Sequence, residues 1–506
     1  MLISLFIAIA ILQSLTFASA RLSLYGKKLP KDFIYGCGVT AYQVEGAWNE
    51  DGKGVSIWDE FVHAKGKKHV KNDATGDIAM DFYHTYSKDI PLFKKSLGIN
   101  NFDFTISWTR LLPNGKGDTL NEKGVQFYKN VANVAHKNGM STTCTLYHWD
   151  LPAALQHSYG GWKSDKILKD FKHYASLTMQ ALGKHCDRWA SMNEIRTFCV
   201  EGYGGGDGES APGIKDDIPQ MFQCAHHALL AHAEAYHEFQ KLKKEGKVKD
   251  TTFGIKLDGS PAKPSDPSNP ADHHAAQVSM AFGIGWDVAP LTTGDYPELM
   301  RSTLKKHSKN PNILPHFTKE QSERVKDAYD IIYYDGYSST FAAALPKGTK
   351  CDEDNQDFWP SCIDEETKNA KGKLIGKPTG SDWNFLTNDT LYQGLSYMHK
   401  KWKVKALAIG ENGMVLRNNE KLSFNQKIND KGRIEWYKST LHNIQRALND
   451  GIPLKGFIPW TCIRNFEWSN GYEGDFGLVY AKPGKNKKRT PKKSSAFLRK
   501  VFHDEQ

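Results

Sequence analysis

The sequence predicts an α/β protein: a single (β/α)8 barrel of the TIM type, with loops inserted at the carboxyl-end face of its strands. Three observations predict it. Short apolar runs alternate with longer helix-like segments along the whole chain. Those runs are continuously apolar rather than alternating, the pattern of parallel strands buried on both faces. No linker and no short-period repeat divides the 506 residues, a length that suits one barrel carrying insertions.

In order, the candidate strands are 33–43, 101–107, 141–148, 188–194, 252–259, 331–337, 404–411 and 454–460. The first closes at Gln43 and the third at His148. The fourth, Arg188-Trp-Ala-Ser-Met-Asn-Glu194, ends abruptly in an amide and a carboxylate. The sixth closes at Tyr337. The seventh, Val404-Lys-Ala-Leu-Ala-Ile-Gly-Glu411, ends in a second carboxylate followed by Asn412-Gly413, and the eighth closes at Trp460. Helix candidates fill the intervals at 76–97, 122–138, 165–185, 220–245, 319–328, 391–402 and 431–450, with a last one at 494–501. Barrels of this kind carry their sites on loops at the carboxyl ends of the strands. Gln43, His148, Asn193, Glu194, Tyr337, Glu411 and Trp460 all fall there. Segments 263–275 and 348–379 are polar and rich in Pro, Gly, Asp or Lys, and are read as inserted loops.

With 39% apolar and 12% aromatic residues, the chain can build a large core. Its 25% of charged residues is ordinary for a folded protein. The net charge of +10 owes much to Lys482-Pro-Gly-Lys-Asn-Lys-Lys-Arg489 and Lys492-Lys493, read as a solvated loop. No aromatics interleave with that run and no nucleic-acid module is present, so a nucleic-acid partner is not expected. Residues 1–20 form an apolar stretch closed by Ala18-Ser19-Ala20, a small-x-small cleavage pattern. That predicts a secretory signal peptide, with 21–506 as one barrel domain outside the cell. The stretch is short for a bilayer span, so no stable membrane insertion is expected.

Eight cysteines in an exported chain permit disulfides. Cys351 and Cys362 flank one polar loop and are the expected pair. Cys37, Cys144 and Cys462 lie in apolar runs and are read as buried thiols. There is no Cys-x-x-Cys and no zinc-ligand spacing. Asn388-Asp389-Thr390 is a glycosylation sequon.

Two carboxylates at the ends of different strands of one barrel are the minimum equipment for breaking a glycosidic bond. One protonates the leaving oxygen, and the other attacks the sugar carbon or activates water. A salt-bridged structural pair and a calcium site are the competing readings; the lack of an acid cluster beside either residue counts against calcium.

The chain resembles glycoside hydrolase family 1, the β-glucosidase family, from Leu29 to about Val501. The resemblance is carried by Phe33-Ile-Tyr-Gly-Cys-Gly-Val-Thr-Ala-Tyr-Gln-Val-Glu-Gly-Ala47, Ser56-Ile-Trp-Asp59, Leu146-Tyr-His-Trp-Asp-Leu-Pro152, Asn193-Glu194, Ala211-Pro-Gly213, Glu411-Asn-Gly413 and Asn465-Phe-Glu-Trp468. It implies Glu194 as general acid/base and Glu411 as nucleophile, with retention of configuration. It implies that Gln43, His148, Asn193, Glu467 and Trp468 grip the sugar hydroxyls. Tyr337 would hydrogen-bond the nucleophile, Trp460 would form an apolar platform under the ring, and Phe476 would border the site. No metal or organic cofactor is implied. Side-chain chemistry fits these roles: Gln and Glu offer paired polar atoms to adjacent hydroxyls, and an aromatic face suits the C–H face of a pyranose.

Departures from the family pattern cluster near the nucleophile. Asp103 stands where the family has an Arg that keeps the nucleophile ionised, and a like charge there would raise its pKa. Arg464 stands where an Asp is usual, so Asp103 and Arg464 are expected to form an exchanged ion pair. Ile195, Gly410, Asp335 and Gly336 also depart. The resemblance therefore implies a secreted retaining β-glycosidase acting on β-glucosides, with β-galactosides or β-fucosides as side substrates. A carboxylate at Glu467 argues for an unphosphorylated sugar. The alternatives are a catalytically silent glycoside-binding protein, a transglycosidase, or a thioglucosidase that keeps its acid. The expected partner is a small-molecule or oligosaccharide β-glycoside, its aglycone chosen by loops 263–275, 348–379 and 417–429.

Overall fold

The computed structural model describes residues 29–504, apart from 31, 67–68, 205–207, 216, 354–356 and 417–421. Residues 1–20, read as a signal peptide, lie outside the described residues, as does part of the 417–429 loop. Eight strands form the barrel: β1 (Ile34–Val39), β2 (Asn101–Thr105), β3 (Ser141–Tyr147), β4 (Arg188–Asn193), β5 (Phe253–Asp258), β6 (Ile331–Asp335), β7 (Leu407–Glu411) and β8 (Leu454–Phe457). Each pairs in parallel with its chain neighbour, and β1 closes the ring on β8 through Ile34↔Gly456 and Tyr35↔Phe457. Their residues are almost all buried, as continuous apolar runs require.

Helices follow the strands in turn: α1 (Phe82–Leu97), α2 (Glu122–Lys137), α3 (Lys166–Leu182), α4 (Ile218–Lys244), α5 (Ile284–Thr293), α6 (Thr390–Trp402), α7 (Lys431–Asn449) and α8 (Lys493–Asp504). Each expected strand is present, shortened by a few residues. Gln43 has left the first strand for a helical turn, Ala41–Val44. Ser56 and Asp59, from the Ser-Ile-Trp-Asp motif, form a reciprocal capping box on the helix Ile57–His63.

The segment 263–275 is not the loop expected of it. The strand Ala262–Pro264 starts it and the helix Pro270–Phe282 takes up its end. Pro270, which reads as a breaker, sits at the first helical turn, where its missing N–H costs nothing, and the Asn269 side chain caps the Ala271 N–H. Segment 348–379 contributes the strand Ile363–Glu366, which joins Thr340–Ala344 and Ala262–Pro264 in a three-stranded sheet.

The cysteine reading needs a larger correction. Cys351–Cys362 is bonded as expected, but Cys37, Cys144 and Cys462 are not thiols. The other bonds are Cys37–Cys462, Cys144–Cys186 and Cys199–Cys224, with Cα separations of 5.2, 5.9 and 5.6 Å. Barrel closure brings the end of β1 beside the segment after β8, so residues 425 apart in sequence face one another. The basic run is also only partly solvated. Lys485, Lys487 and Lys488 are exposed, but Arg489 pairs with Asp89 at 3.0 Å, and the fully buried Lys492 pairs with Asp475 at 2.6 Å. No helix among the described residues is long and apolar enough to cross a membrane.

Because Cys37–Cys462 ties the two edges that close the ring, the double variant Cys37→Ala/Cys462→Ala should lose about 2–5 kcal/mol of unfolding free energy. Guanidinium denaturation under non-reducing conditions measures this loss, and it should vanish when both proteins are reduced.

Candidate active site

β4 delivers Asn193, and Glu194 follows as the N-cap of the helix Ile195–Gly202. Its φ of 50° is left-handed, a conformation that a glutamate adopts only when its surroundings impose it. The Glu194 N–H is spent on the Lys256 carbonyl of β5 at 2.9 Å. β7 delivers Glu411, and the next two residues fix the strand end. Asn412 donates to the Gly336 carbonyl at 2.6 Å, and accepts from Trp436 Nε1 at 2.8 Å and Thr440 Oγ1 at 2.7 Å. At Gly413 a Cβ would lie 2.2 Å from the Trp460 carbonyl, so only glycine lets these strand ends approach.

Glu194, Glu411 and Asp335 each place a carboxylate oxygen within 4.8 Å of the others. Tyr337 donates to Glu411 Oε2 at 2.8 Å, as expected. Asn193, its NH2 turned toward them, donates to Asp335 Oδ2 at 3.2 Å and Glu411 Oε1 at 3.3 Å. The third carboxylate, Asp335, answers the sequence argument against a shared cation, because the acid cluster is supplied by another strand. Among the described residues these three could share an ion, although carboxylates alone do not define a metal site.

The sugar-binding candidates gather around this centre. Gln43 Nε2 donates to the Phe466 carbonyl at 2.9 Å, and its Oε1 accepts from Thr40 at 2.5 Å. His148 stacks against Trp460 at 6.3 Å and Trp468 at 5.8 Å, and its buried Nδ1 has no partner. Trp468 also stacks on Trp149 at 4.6 Å, the floor of an aromatic layer. Trp460, Phe476 and Val415 form one small buried cluster with Tyr337 packed against it. Glu467 accepts from Asn465 Nδ2 at 3.0 Å. All ten residues singled out in the sequence are thus brought to one end of the barrel or its supporting layer.

Burial dominates the electrostatics. It pushes the Glu194 carboxyl well above its usual range, helped by the charges of Asp258, Glu411 and Asp335. Burial also raises Glu411, to about 7, against the lowering pull of Lys256 and the Tyr337 hydrogen bond. Glu467 is pushed up to about 8 by burial. The His148 ring is held neutral by burial and by the Lys256 charge.

The expected exchange of partners between Asp103 and Arg464 does not occur. Asp103, on β2, gives both oxygens to Lys256 Nζ of β5, at 2.9 and 3.0 Å. Arg464 lies beyond β8, donates to the Tyr472 carbonyl and acts on Asp475. Sequence reasoning passed over Lys256. Its one signal was a lysine in the middle of an apolar strand, Phe-Gly-Ile-Lys-Leu-Asp. It also passed over the Arg196–Asp258 ion pair beside Glu194. The departure at Gly410 has a steric cause: a Cβ there would sit 2.5 Å from Asp335 Oδ1.

The chain is similar to known proteins over nearly its whole length. The model of Glycosyl hydrolase family 1 matches residues 25–506. Beta-glucosidase 24 of Oryza sativa subsp. japonica is 35% identical over 491 residues, covering 94% of each chain. Beta-glucosidase 42 of Arabidopsis thaliana is 34% identical over 475 residues, again 94% of each. The crystal structure of a β-glucosidase from the fungus Humicola insolens in complex with glucose superposes with a TM-score of 0.86 at 30% identity, over 94% of this chain and 98% of that one. Fold and site together define a glycoside hydrolase. The chain belongs to glycosyl hydrolase family 1 and is a β-glucosidase-like member of it.

If Gly410 is small because of Asp335, Gly410→Ala should cost about 1–3 kcal/mol of stability through overpacking. Asp335→Ala in the same chain should recover part of that loss, and a thermal-denaturation double-mutant cycle would give a non-additive result.

Proposed function

We propose that the protein hydrolyses O-β-glycosides, β-glucosides foremost, by double displacement with retention. Glu411 attacks the anomeric carbon as Glu194 passes its proton to the departing glycosidic oxygen. Glu194 then takes a proton from water, and that water displaces Glu411 from the sugar. The carrying observation is the approach of the Glu194 and Glu411 oxygens to within 4.8 Å. Inverting enzymes need about 6.5–9.5 Å between the two carboxyl groups to admit water, whereas retaining ones need about 5–5.5 Å. The environments support the roles: burial and the Asp258 charge favour the protonated form of Glu194, while Lys256 and the Tyr337 hydrogen bond favour the ionised form of Glu411.

The orphaned His148 Nδ1, together with Gln43, Asn193 and Glu467, supplies polar atoms for the hydroxyls of an unmodified glucose. Trp460 supplies the platform and Phe476 the border. Trp383 is 48% exposed and edges onto Tyr337 at 5.7 Å, which puts an aromatic surface where the aglycone would leave. We also read the protein as secreted, from the leader at 1–20 and the four disulfides.

NMR of the first product from an aryl β-glucoside tests this reading: β-glucose is expected before mutarotation, and α-glucose would refute it. Glu411→Ala should lose on the order of 10⁴-fold or more in kcat. Glu194→Gln should lose about 10²–10⁴-fold on poor leaving groups and far less on activated ones. Turnover that survives Glu411→Ala would overturn the assignment.

The profile of kcat/KM against pH should be a bell. Glu411 must be ionised, so activity falls as pH drops through its raised value of about 7. Glu194 must carry its proton, so activity falls again when pH climbs through that group's raised range. The optimum is expected at neutral pH or above.

A further inference from the structure

Lys256 sits mid-strand on β5, and its side chain is 4% exposed. In the ring, β3 and β4 separate β2 from β5 on one side, and four strands separate them on the other. The bonds from Lys256 Nζ to Asp103 Oδ1 and Oδ2 therefore cross the lumen. Lys256 is in register with Tyr333 of β6, and Asp258 with Asp335, so both β5 residues share the inward face with the carboxylate of β6. Asp335 in turn is in register with Glu411 of β7. The ammonium thus lies one layer beneath the carboxyl groups at the mouth. Its charge acts on four surroundings at once: Asp103, Asp335, Glu411 and His148.

Among the described residues, the arginines at either end of β4 are committed elsewhere. Arg196 is paired with Asp258, and Arg188 lies at the amino end of β4, bonded to Ser141 at 3.0 Å. Facing Glu411 from the remaining elements are acids and neutral donors. Asp335 comes from β6, Glu194 from the end of β4 and Glu467 from the segment after β8, and the charges of Asp103 on β2 and Asp258 on β5 also raise Glu411. Tyr337 and Asn193 donate to it. Left to these neighbours, burial and like charge would keep a proton on Glu411.

We propose that Lys256 is a positioning residue of the reaction: anchored across the lumen on Asp103, its ammonium holds Glu411 in the carboxylate form that attacks the sugar. This rests on the reading of Glu411 as nucleophile. The Asp at 103 is then the anchor of a cation delivered from the opposite strand. Both ends of the pair act on Glu411, Asp103 raising its carboxyl and Lys256 lowering it, and the ammonium's effect is the larger. Among the influences on Glu411, Lys256 is the strongest that favours ionisation.

The test isolates Glu411 from Glu194 by using 2,4-dinitrophenyl 2-deoxy-2-fluoro-β-glucoside, whose leaving group needs no acid. The rate of covalent trapping is measured against pH, and the labelled peptide is identified by mass spectrometry. Wild type should label Glu411 with a midpoint near neutral pH. Lys256→Met leaves Asp103 buried and unpaired, so the decisive variant is Asp103→Asn/Lys256→Met, which removes both charges together. Its midpoint should rise by about one unit or more; one unit below the wild-type midpoint, trapping should be close to tenfold slower, with the alkaline plateau retained. Asp103→Asn alone keeps the lysine and frees its charge, so the midpoint should fall. A purely structural pair predicts wild-type midpoints in both variants, and that result would overturn the proposal. Absence of label on Glu411 in wild type would instead refute the assignment of the nucleophile, a different failure.

Discussion

Carboxyl groups crowded inside a closed ring of strands are the constraint on which the site depends. They are buried, so each negative charge is costly unless a donor or cation meets it. The protein meets the constraint in three ways. Lys256 faces Asp103 in the lumen, Arg196 covers Asp258 at the rim, and Tyr337 and Asn193 donate to Glu411. Glu194 and Asp335 are left in surroundings that favour their protonated forms. The reactive arrangement and the stability of the barrel floor are thus one electrostatic problem with one solution.

Much of this was readable from the chain because polar residues interrupt apolar runs at strand ends. His148, Asn193, Glu194 and Glu411 announce themselves in that way, and the structure gathers them at one face. Between β5 and β6 the helix at 319–328 was readable and appears as Lys319–Val325, but the elements at 262–282 were not. Pro264, Pro267 and Pro270 look like loop formers, yet the last sits where a helix tolerates it best. Lys256 was hidden for a different reason. Strand patterning marks which residues are buried, not what they meet, and its partner lies 153 residues earlier. Pairing across a barrel depends on ring geometry that local sequence does not encode.

The family pattern was informative and misleading in the same region. It singled out Asp103, but suggested a compensating partner at Arg464. Position-by-position exchange is the natural inference along a sequence. The structure instead compensates through space, with a lysine from a strand that the pattern gave no reason to inspect. Gly410 and Asp335 repeat the lesson on a smaller scale, since two separate departures turn out to be one steric accommodation.

Cys37 and Cys462 join the first strand to the stretch just beyond the eighth. Most of the polypeptide is thereby turned into a covalent hoop. Tension applied at the two chain ends would run through the sulfur bridge and leave the hoop slack. A protease that severed a single surface loop would open the hoop without releasing a fragment.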